Sequence, residues 1–331
     1  MILAGDIGGT KTILALVRAK EHHLDIVREE AFASREHARF DDLLASFLKH
    51  GGRGDVSAVC LGVAGPVREG RCHTTNLPWV LDERELTAAV GAPVAKLLND
   101  VEAAAFGMLF LREDEFVVLN QGVPTRGNIA VIAAGTGLGQ AILAWDGDRY
   151  LPVPSEGGHV DFAPRTDREI DLLRFLRAEF GRVSYERVVS GPGQHHIYRY
   201  LVHAGGSVEP EWLRDQLAVD DPSAVVTRVG LAKAHPLCVE ALDLFASLYG
   251  AEAGNLALKA CALGGVFIGG GIAPKIIDKL KDGTFMSAFT AKGRYREWME
   301  SIPVKVALNP RAPLLGAVRY AAERLVPGSV S

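Results

Sequence analysis

The sequence predicts an α/β protein built from two related domains, and three observations carry that prediction. Short apolar runs alternate with segments of helical spacing through the first third of the chain. A strand, glycine turn, strand pattern occurs twice, as AGDIGGTKTILALV from Ala4 and as IAAGTGLGQAILAW from Ile132. The length, 331 residues, exceeds what one small core organises, so two domains are expected.

Taken in order, Ile2 to Asp6 and Thr12 to Val17 are apolar runs around a glycine turn, and Leu24 to Phe32 reads as a third strand. Phe40 to Lys49 has helical spacing. Val56 to Ala64 is a buried-type strand that stops at Gly65-Pro66. Val94 to Leu98 is another, ending at Asn99-Asp100, and Val101 to Leu111 then reads as a helix. Strands alternating with helices imply a mainly parallel sheet with covered faces. Ile129 to Ala134 and Gln140 to Trp145 form the second hairpin. Asp167 to Ala260 is mostly helical, its longest pattern running from Pro236 to Ala260 with Leu237, Ala241, Leu244, Leu248 and Ala251 on one face. Gly265 to Ile268 is a strand closed by Gly269-Gly270-Gly271, with Pro274 placed for a first helical turn. Val304 to Leu308 and Leu314 to Leu325 complete the chain as strand and helix.

Composition narrows the function. Hydrophobic residues make up 48% and charged residues 23%, which is ordinary for a soluble globular protein. A net charge of −4 offers no electrostatic case for nucleic-acid binding. No apolar run is long enough to cross a bilayer. Met1 runs directly into Ile-Leu-Ala-Gly-Asp without a basic and then apolar leader, so no signal peptide is expected. The cysteines, Cys60, Cys72, Cys238 and Cys261, form no CxxC pair, which suits a reducing cytosol and a cytoplasmic location.

Five segments carry candidate chemistry. Gly5-Asp-Ile-Gly-Gly-Thr-Lys-Thr12 fails the P-loop spacing, and Gly135-Thr-Gly137-Leu-Gly139 fails the dinucleotide fingerprint. Both turns still bare backbone N–H groups to an approaching phosphate, or else are hairpin turns that use glycine for positive φ. Asp6 is able to hold Mg²⁺ or its water shell. Asn99-Asp100 sits at the carboxyl end of a buried strand, where ligands bind in open α/β sheets. Asp100 reads as a general base or as a helix N-cap. VPSEGGHVDFAP, from Val153 to Pro164, has neither period and reads as a loop holding Glu156, His159 and Asp161. A zinc site there lacks a third ligand at a convincing spacing. Glu186, in SYERVVSGPG, is a further candidate acid or a solvated helix residue, and His195-His196 reads as an exposed helical pair.

Together GDIGGTKT, LLND, AAGTGLG, SEGGHVDFAP, ERVVSGPG, GGVFIGGGIAPK and LLGAVRYA resemble, in order and over nearly the whole chain, the bacterial glucokinases of the hexokinase/actin/Hsp70 superfamily. Lys11 stands where close relatives often have asparagine, and Val101 where they often have phenylalanine. The CxCGxxGC zinc signature of the related ROK kinases and an N-terminal helix-turn-helix extension are both missing, which points away from that branch. The resemblance implies two actin-like (ribonuclease H-like) domains around a central cleft. The smaller would hold residues 1–111 plus about 302–331, including the final strand and helix, and the larger residues 112–301. It implies ATP- and Mg²⁺-dependent transfer of a phosphoryl group to the 6-hydroxyl of glucose. Asn99, Asp100, Glu156, His159 and Glu186 match the family's sugar positions, with Asp100 as base. Gly5, Asp6, Ile7, Gly8, Gly9 and Thr10 match the first phosphate loop. Gly135, Thr136 and Gly137 match the second, and Gly269, Gly270 and Gly271 lie near adenosine. The roles of Lys11 and Asp161 stay open. The alternatives are another hexose or amino-sugar kinase (mannose, glucosamine), a polyphosphate-using glucokinase, and a nucleotide-gated binding or chaperone module. A homodimer is the default assembly.

Overall fold

A computed structural model describes residues 1–20, 23–49, 55–205 and 207–326. The chain divides into two compact units, residues 1–113 with 150–154 and 309–331, and residues 114–149 with 155–308.

In the smaller unit, β1 (Ile2–Ile7), β2 (Lys11–Lys20), β3 (His23–Ala33) and β4 (Ala58–Val63) join a sheet, and β5 (Val67–Arg68), β6 (Arg71–His73) and β7 (Val80–Asp82) form a small second one. The main sheet ends on β8 (Ala95–Asn99), giving the order β3-β2-β1-β4-β8. It is mixed rather than mainly parallel: β1, β2 and β3 pair antiparallel, while β1, β4 and β8 run parallel. The short glycine turn from Gly8 to Thr10 closes β1 and β2 as an antiparallel hairpin, whereas parallel neighbours need longer crossovers. Alternate residues of β1 serve opposite faces. Leu3 and Ile7 join one core with Phe47 and Leu61. Ile2 and Ala4 join the other with Ala103, Leu314 and Ala317. Asp6 shares the parity of Ile2 and Ala4, so the sheet directs it to the face covered by the helices Asp100–Met108 and Ala312–Tyr320. Those two helices cross backbone to backbone. A Cβ on Gly107 would lie 1.9 Å from the Ala312 carbonyl oxygen, and one on Gly316 would lie 1.8 Å from that of Ala103.

The larger unit repeats the device with β9 (Phe116–Asn120), β10 (Ile129–Ala134), β11 (Leu138–Trp145), β13 (Gly265–Gly269) and β14 (Val304–Ala307), while β12 (Tyr150–Ser155) belongs to the smaller unit in all but its last residue. The strands lying wholly within it run β11-β10-β13-β14-β9. β10 and β11 are an antiparallel hairpin with β13 parallel beside it, as β1 and β2 have β4. The expected helix Pro236–Ala260 packs into the core through Leu237, Ala241, Leu248 and Ala253. Two expectations change. The final strand belongs to this unit, because Val304 and Val306 are buried and β14 pairs in parallel with β13, so the smaller unit resumes at Asn309 and not near 302. Val153 to Ser155 are also not loop: they finish β12, and only Gly157–His159 turns, as a single 3-10 turn.

Candidate functional site

The smaller unit brings Asp6, Asn99 and Asp100 to one sheet edge. Parallel pairing aligns Ile7 with Val63 and Val63 with Asn99, so three strands end together. Gly62 lies between the two acids. Its Cβ would meet the Ala103 methyl at 2.9 Å and Asp100 Cα at 3.9 Å, so glycine lets the helix start close to the strand. Asp6 is half-buried, and its pKa is pushed up to about 6, first by burial and then by the Asp100 carboxylate, with Lys11 pulling it down.

The helix N-cap is Asn99, not Asp100. Asn99 Oδ1 accepts from Val101 N at 2.9 Å, while Glu102 returns to Asn99 N at 3.1 Å, completing a capping box. Asn99 Nδ2 donates to the Gly65 carbonyl at 3.1 Å. That leaves Asn99 one amide hydrogen for any ligand and makes it chiefly a brace. Asp100 follows as the first helical residue, half-buried, with Oδ1 accepting from Val101 N at 2.9 Å.

The turn from Gly8 to Thr10 is stapled by Ser34. Its hydroxyl donates to the Gly8 carbonyl at 2.8 Å, its N–H to the Thr10 carbonyl at 3.0 Å, and it lies 2.9 Å from Thr12 Oγ1. Among the described residues the Gly9 and Thr10 N–H groups have no protein acceptor. The glycines of this turn are not there for positive φ. Gly8 clears the Lys11 carbonyl, 2.9 Å from a Cβ, and Gly9 clears Asn76 at the same distance.

In the larger unit the second turn joins β10 to β11. Gly135 N donates to Gly137 O at 2.9 Å, and Gly191 N to Gly135 O at 2.8 Å. The Thr136 and Gly137 N–H groups have no acceptor among the described residues. Glu186 grips this turn from beside it: Oε2 accepts from Leu138 N at 3.0 Å, and a Cβ on Gly137 would be 2.6 Å away. Glu186 Oε1 stands 3.9 Å from His159 Nδ1. Short backbone pairing brings the two segments together, with Phe162 N on Val183 O and Tyr185 N on Val160 O, both at 3.0 Å. Gly157 and Gly158 allow the Glu156–His159 turn to lie on β11. Their Cβ atoms would fall 2.0 Å from Gln140 Oε1 and 1.9 Å from the Leu138 carbonyl oxygen. Glu156 and His159 themselves are exposed.

Asp161 receives a role. Its carboxylate takes Arg182 Nε at 2.8 Å, and the same guanidinium donates to the His159 carbonyl, so Asp161 fixes the turn through Arg182. The His195-His196 pair is not exposed. His196 is 8% exposed, bonds the Arg187 carbonyl through Nδ1 at 2.8 Å and packs against the Phe180 ring. Gly270 adopts φ +82 against the Ala134 carbonyl, beside the second turn. Close by is a cavity of about 650 Å³ lined in part by Gly191, Gln194, Ser223, Thr227, Ile272 and Lys275. Thr227 Oγ1 donates to Gln194 Oε1 at 2.9 Å, while the buried Gln194 Nε2 has no partner among the described residues.

Sequence reasoning passed over Ser34, Arg182, Gln140 and Gln194. Their roles arise from contacts across 26, 23, 17 and 33 positions, for which no local signal exists. The Asn99 capping box did have a signal, the N-x-x-E spacing to Glu102.

A hairpin with a parallel third strand, used in each of two units, is the arrangement of the actin-like sugar kinases, and the chain is a member of that class. A glucokinase family model matches residues 3–324. A glucokinase of Trichormus variabilis is 39% identical, over 97% of this chain and 99% of its own. The crystal structure of a glucokinase from an Antarctic psychrotroph superposes with a TM-score of 0.83 at 32% identity, covering 96% of this chain and 97% of that one. A glucokinase from Balamuthia mandrillaris, solved with glucose, shares the fold at a TM-score of 0.77 and 23% identity, with 97% and 93% covered. The chain belongs to the glucokinase family.

Proposed function

We propose that this protein transfers the γ-phosphoryl group of ATP to the 6-hydroxyl of D-glucose, giving glucose 6-phosphate and ADP. The observation that carries the reading is the pairing of chemistry with family membership: a carboxylate at a strand's carboxyl edge in one unit, and an acid–imidazole pair beside a glycine turn in the other. Asp100 accepts the 6-hydroxyl proton while O6 attacks the γ-phosphorus and the bond to the β-phosphate oxygen breaks. The transition state is loose, so the protein chiefly positions and neutralises. Glu156, His159 and Glu186 read sugar hydroxyls, and Asn99 adds its remaining amide hydrogen. Carboxylates accept hydroxyl hydrogen bonds and the imidazole gives or takes one, so a bound sugar lacking a hydroxyl leaves groups that it has shielded from water unpaired and is rejected.

Backbone N–H groups of Gly9, Thr10, Thr136 and Gly137 receive phosphate oxygens. The adenine enters the cavity beside Gly269–Gly271 that Gly191, Ser223, Thr227, Ile272 and Lys275 help to line. For Mg²⁺, the mutual repulsion of Asp6 and Asp100 in a half-buried place fits a divalent cation. Asp6 would hold the ion or its water shell. The ion supplies neutralisation of phosphate charge.

ADP release with ATP and Mg²⁺, with glucose omitted or replaced by mannose or glucosamine, and with polyphosphate as an alternative donor, tests the reading. Glucose-dependent release that exceeds the other sugars supports it. ATP binding with no glucose-dependent release would mark a nucleotide-gated binding module instead. Asp100→Asn is expected to keep glucose binding by calorimetry and to lose about 10²- to 10⁴-fold in kcat. Wild-type turnover in that variant would remove Asp100 as the base.

A further inference from the structure

Behind the acid–imidazole pair lies a buried polar network that no step above uses. Gln140 is 1% exposed, and its Oε1 faces Gly157. Its Nε2 donates to Glu252 Oε1 at 2.8 Å. Glu252 sits in the middle of the long helix Pro236–Ala260 and is fully buried. Its other oxygen accepts from Asn255 Nδ2 at 2.9 Å. The same Asn255 amide nitrogen reaches the Tyr185 hydroxyl at 3.0 Å, and Tyr185 is the neighbour of Glu186. Lys292 closes the network, donating from Nζ to Asn255 Oδ1 at 2.6 Å and to the Ala251 carbonyl at 2.9 Å. One buried carboxylate therefore has an arm under the Glu156–His159 turn and another under Glu186.

A buried carboxylate is costly, and a well-packed apolar or neutral group fills such a place at less expense. What only the carboxylate supplies is two acceptors and no donor. Both amides must then present NH₂ to it. Gln140 is fixed with its carbonyl oxygen toward Gly157, and Asn255 with its carbonyl oxygen toward the Lys292 ammonium. Loss of that constraint lets the Gln140 amide flip and put NH₂ where an oxygen stood, whereas Lys292 still holds Asn255.

We infer that Glu252 is a positioning residue for the sugar site: through Gln140 and Asn255 it sets the spacing between the Glu156–His159 turn and Glu186, and so the affinity for glucose. The inference rests on reading those three residues as sugar contacts.

The test is steady-state kinetics on Glu252→Gln. A misplacement of such contacts costs binding before chemistry, because Asp100 lies in the other unit, so glucose KM is expected to rise about tenfold, with kcat at saturation and ATP KM within about threefold of the parent. Exchanging the pair, as Gln140→Glu with Glu252→Gln, restores one donor facing one acceptor and leaves an oxygen for Asn255. That double variant is expected to bring glucose KM back to within about threefold of the parent. A folded Glu252→Gln with unchanged glucose KM overturns the proposal, as does a double variant no better than the single. Should Glu252→Gln fail to fold, Gln140→Met takes its place: a raised glucose KM supports the proposal and an unchanged one overturns it. A parent enzyme with no glucose-dependent ADP release would overturn the functional reading instead.

Discussion

Asp6 is a carboxylate kept where its charge is unwelcome. In an unfolded chain it ionises near 3.8, whereas in the fold burial and Asp100 hold it near 6. Between those values the native protein binds a proton that the unfolded chain has released, which favours folding. That contribution is fully present below pH 3.8 and is lost as pH rises through 6, so at neutral pH the ionised Asp6 destabilises the fold. The full shift would correspond to roughly 3 kcal/mol, and partial solvent screening brings the expectation to about 1–2 kcal/mol. Asp6→Asn is expected to raise Tm at pH 7.5, to leave it unchanged at pH 3.5, and to weaken ATP–Mg²⁺ use. Thermal melts across pH with kinetics at pH 7.5 check all three. A lower Tm at pH 7.5 would mean that the charge is compensated. The residue type and its place beside a glycine turn were legible in the sequence. The proximity of Asp100 was not, because it arises from parallel strands separated by some ninety positions.

At the scale of elements, periodicity was a good guide and glycine a partial one. The helices Phe40–Lys49 and Pro236–Ala260 have the bounds their apolar spacing implies. The two glycine turns were expected to need positive φ or to bare N–H groups: Gly8, Gly9 and Gly137 have no positive φ, the Gly9 and Gly137 N–H groups have no acceptor among the described residues, and Gly9 and Gly137 also clear Asn76 and Glu186. Steric need of that kind depends on partners distant in sequence. The strongest case is the crossing of Gly107 and Gly316, where the helix that starts at Asp100 meets the helix Ala312–Tyr320. Gly316→Ala inserts a methyl into that contact, an overpacking that costs about 1–3 kcal/mol or more. The expected outcome is a lower Tm together with a lower kcat, since the shifted helix carries the base. A variant with parental Tm and kcat would show that the crossing relaxes without moving Asp100.

For the molecule as a whole, the repeated hairpin visible in AGDIGGTKTILALV and IAAGTGLGQAILAW is a duplicated arrangement of three strands, one copy in each unit. The assignment of β14 was not legible, because a short apolar strand pairs wherever its register and burial are best met, and Val304 and Val306 find that beside β13. The smaller unit is itself discontinuous, with its first 113 residues completed by residues from 309 onward. A chain ending at Arg311 retains every proposed sugar and phosphate contact. It is nonetheless expected to lose activity and to be cut by protease within 1–113, because Leu314, Ala317 and Val318 are missing from that core. Protease resistance equal to the full chain would contradict this.

The crossing at Gly107 and Gly316 also bears on the protein's birth. The helix that seats Asp100 leaves the ribosome long before its partner exists. At about 5–20 residues per second, the two hundred or so residues between them take roughly 10–40 seconds to make. Through that interval the nascent smaller unit lacks one of the two helices that cover one face of its sheet, and the larger unit, whose residues end at Leu308, is finished before that helix is made. Order of synthesis and order of assembly are thus reversed: the first segment made is the last to be sealed.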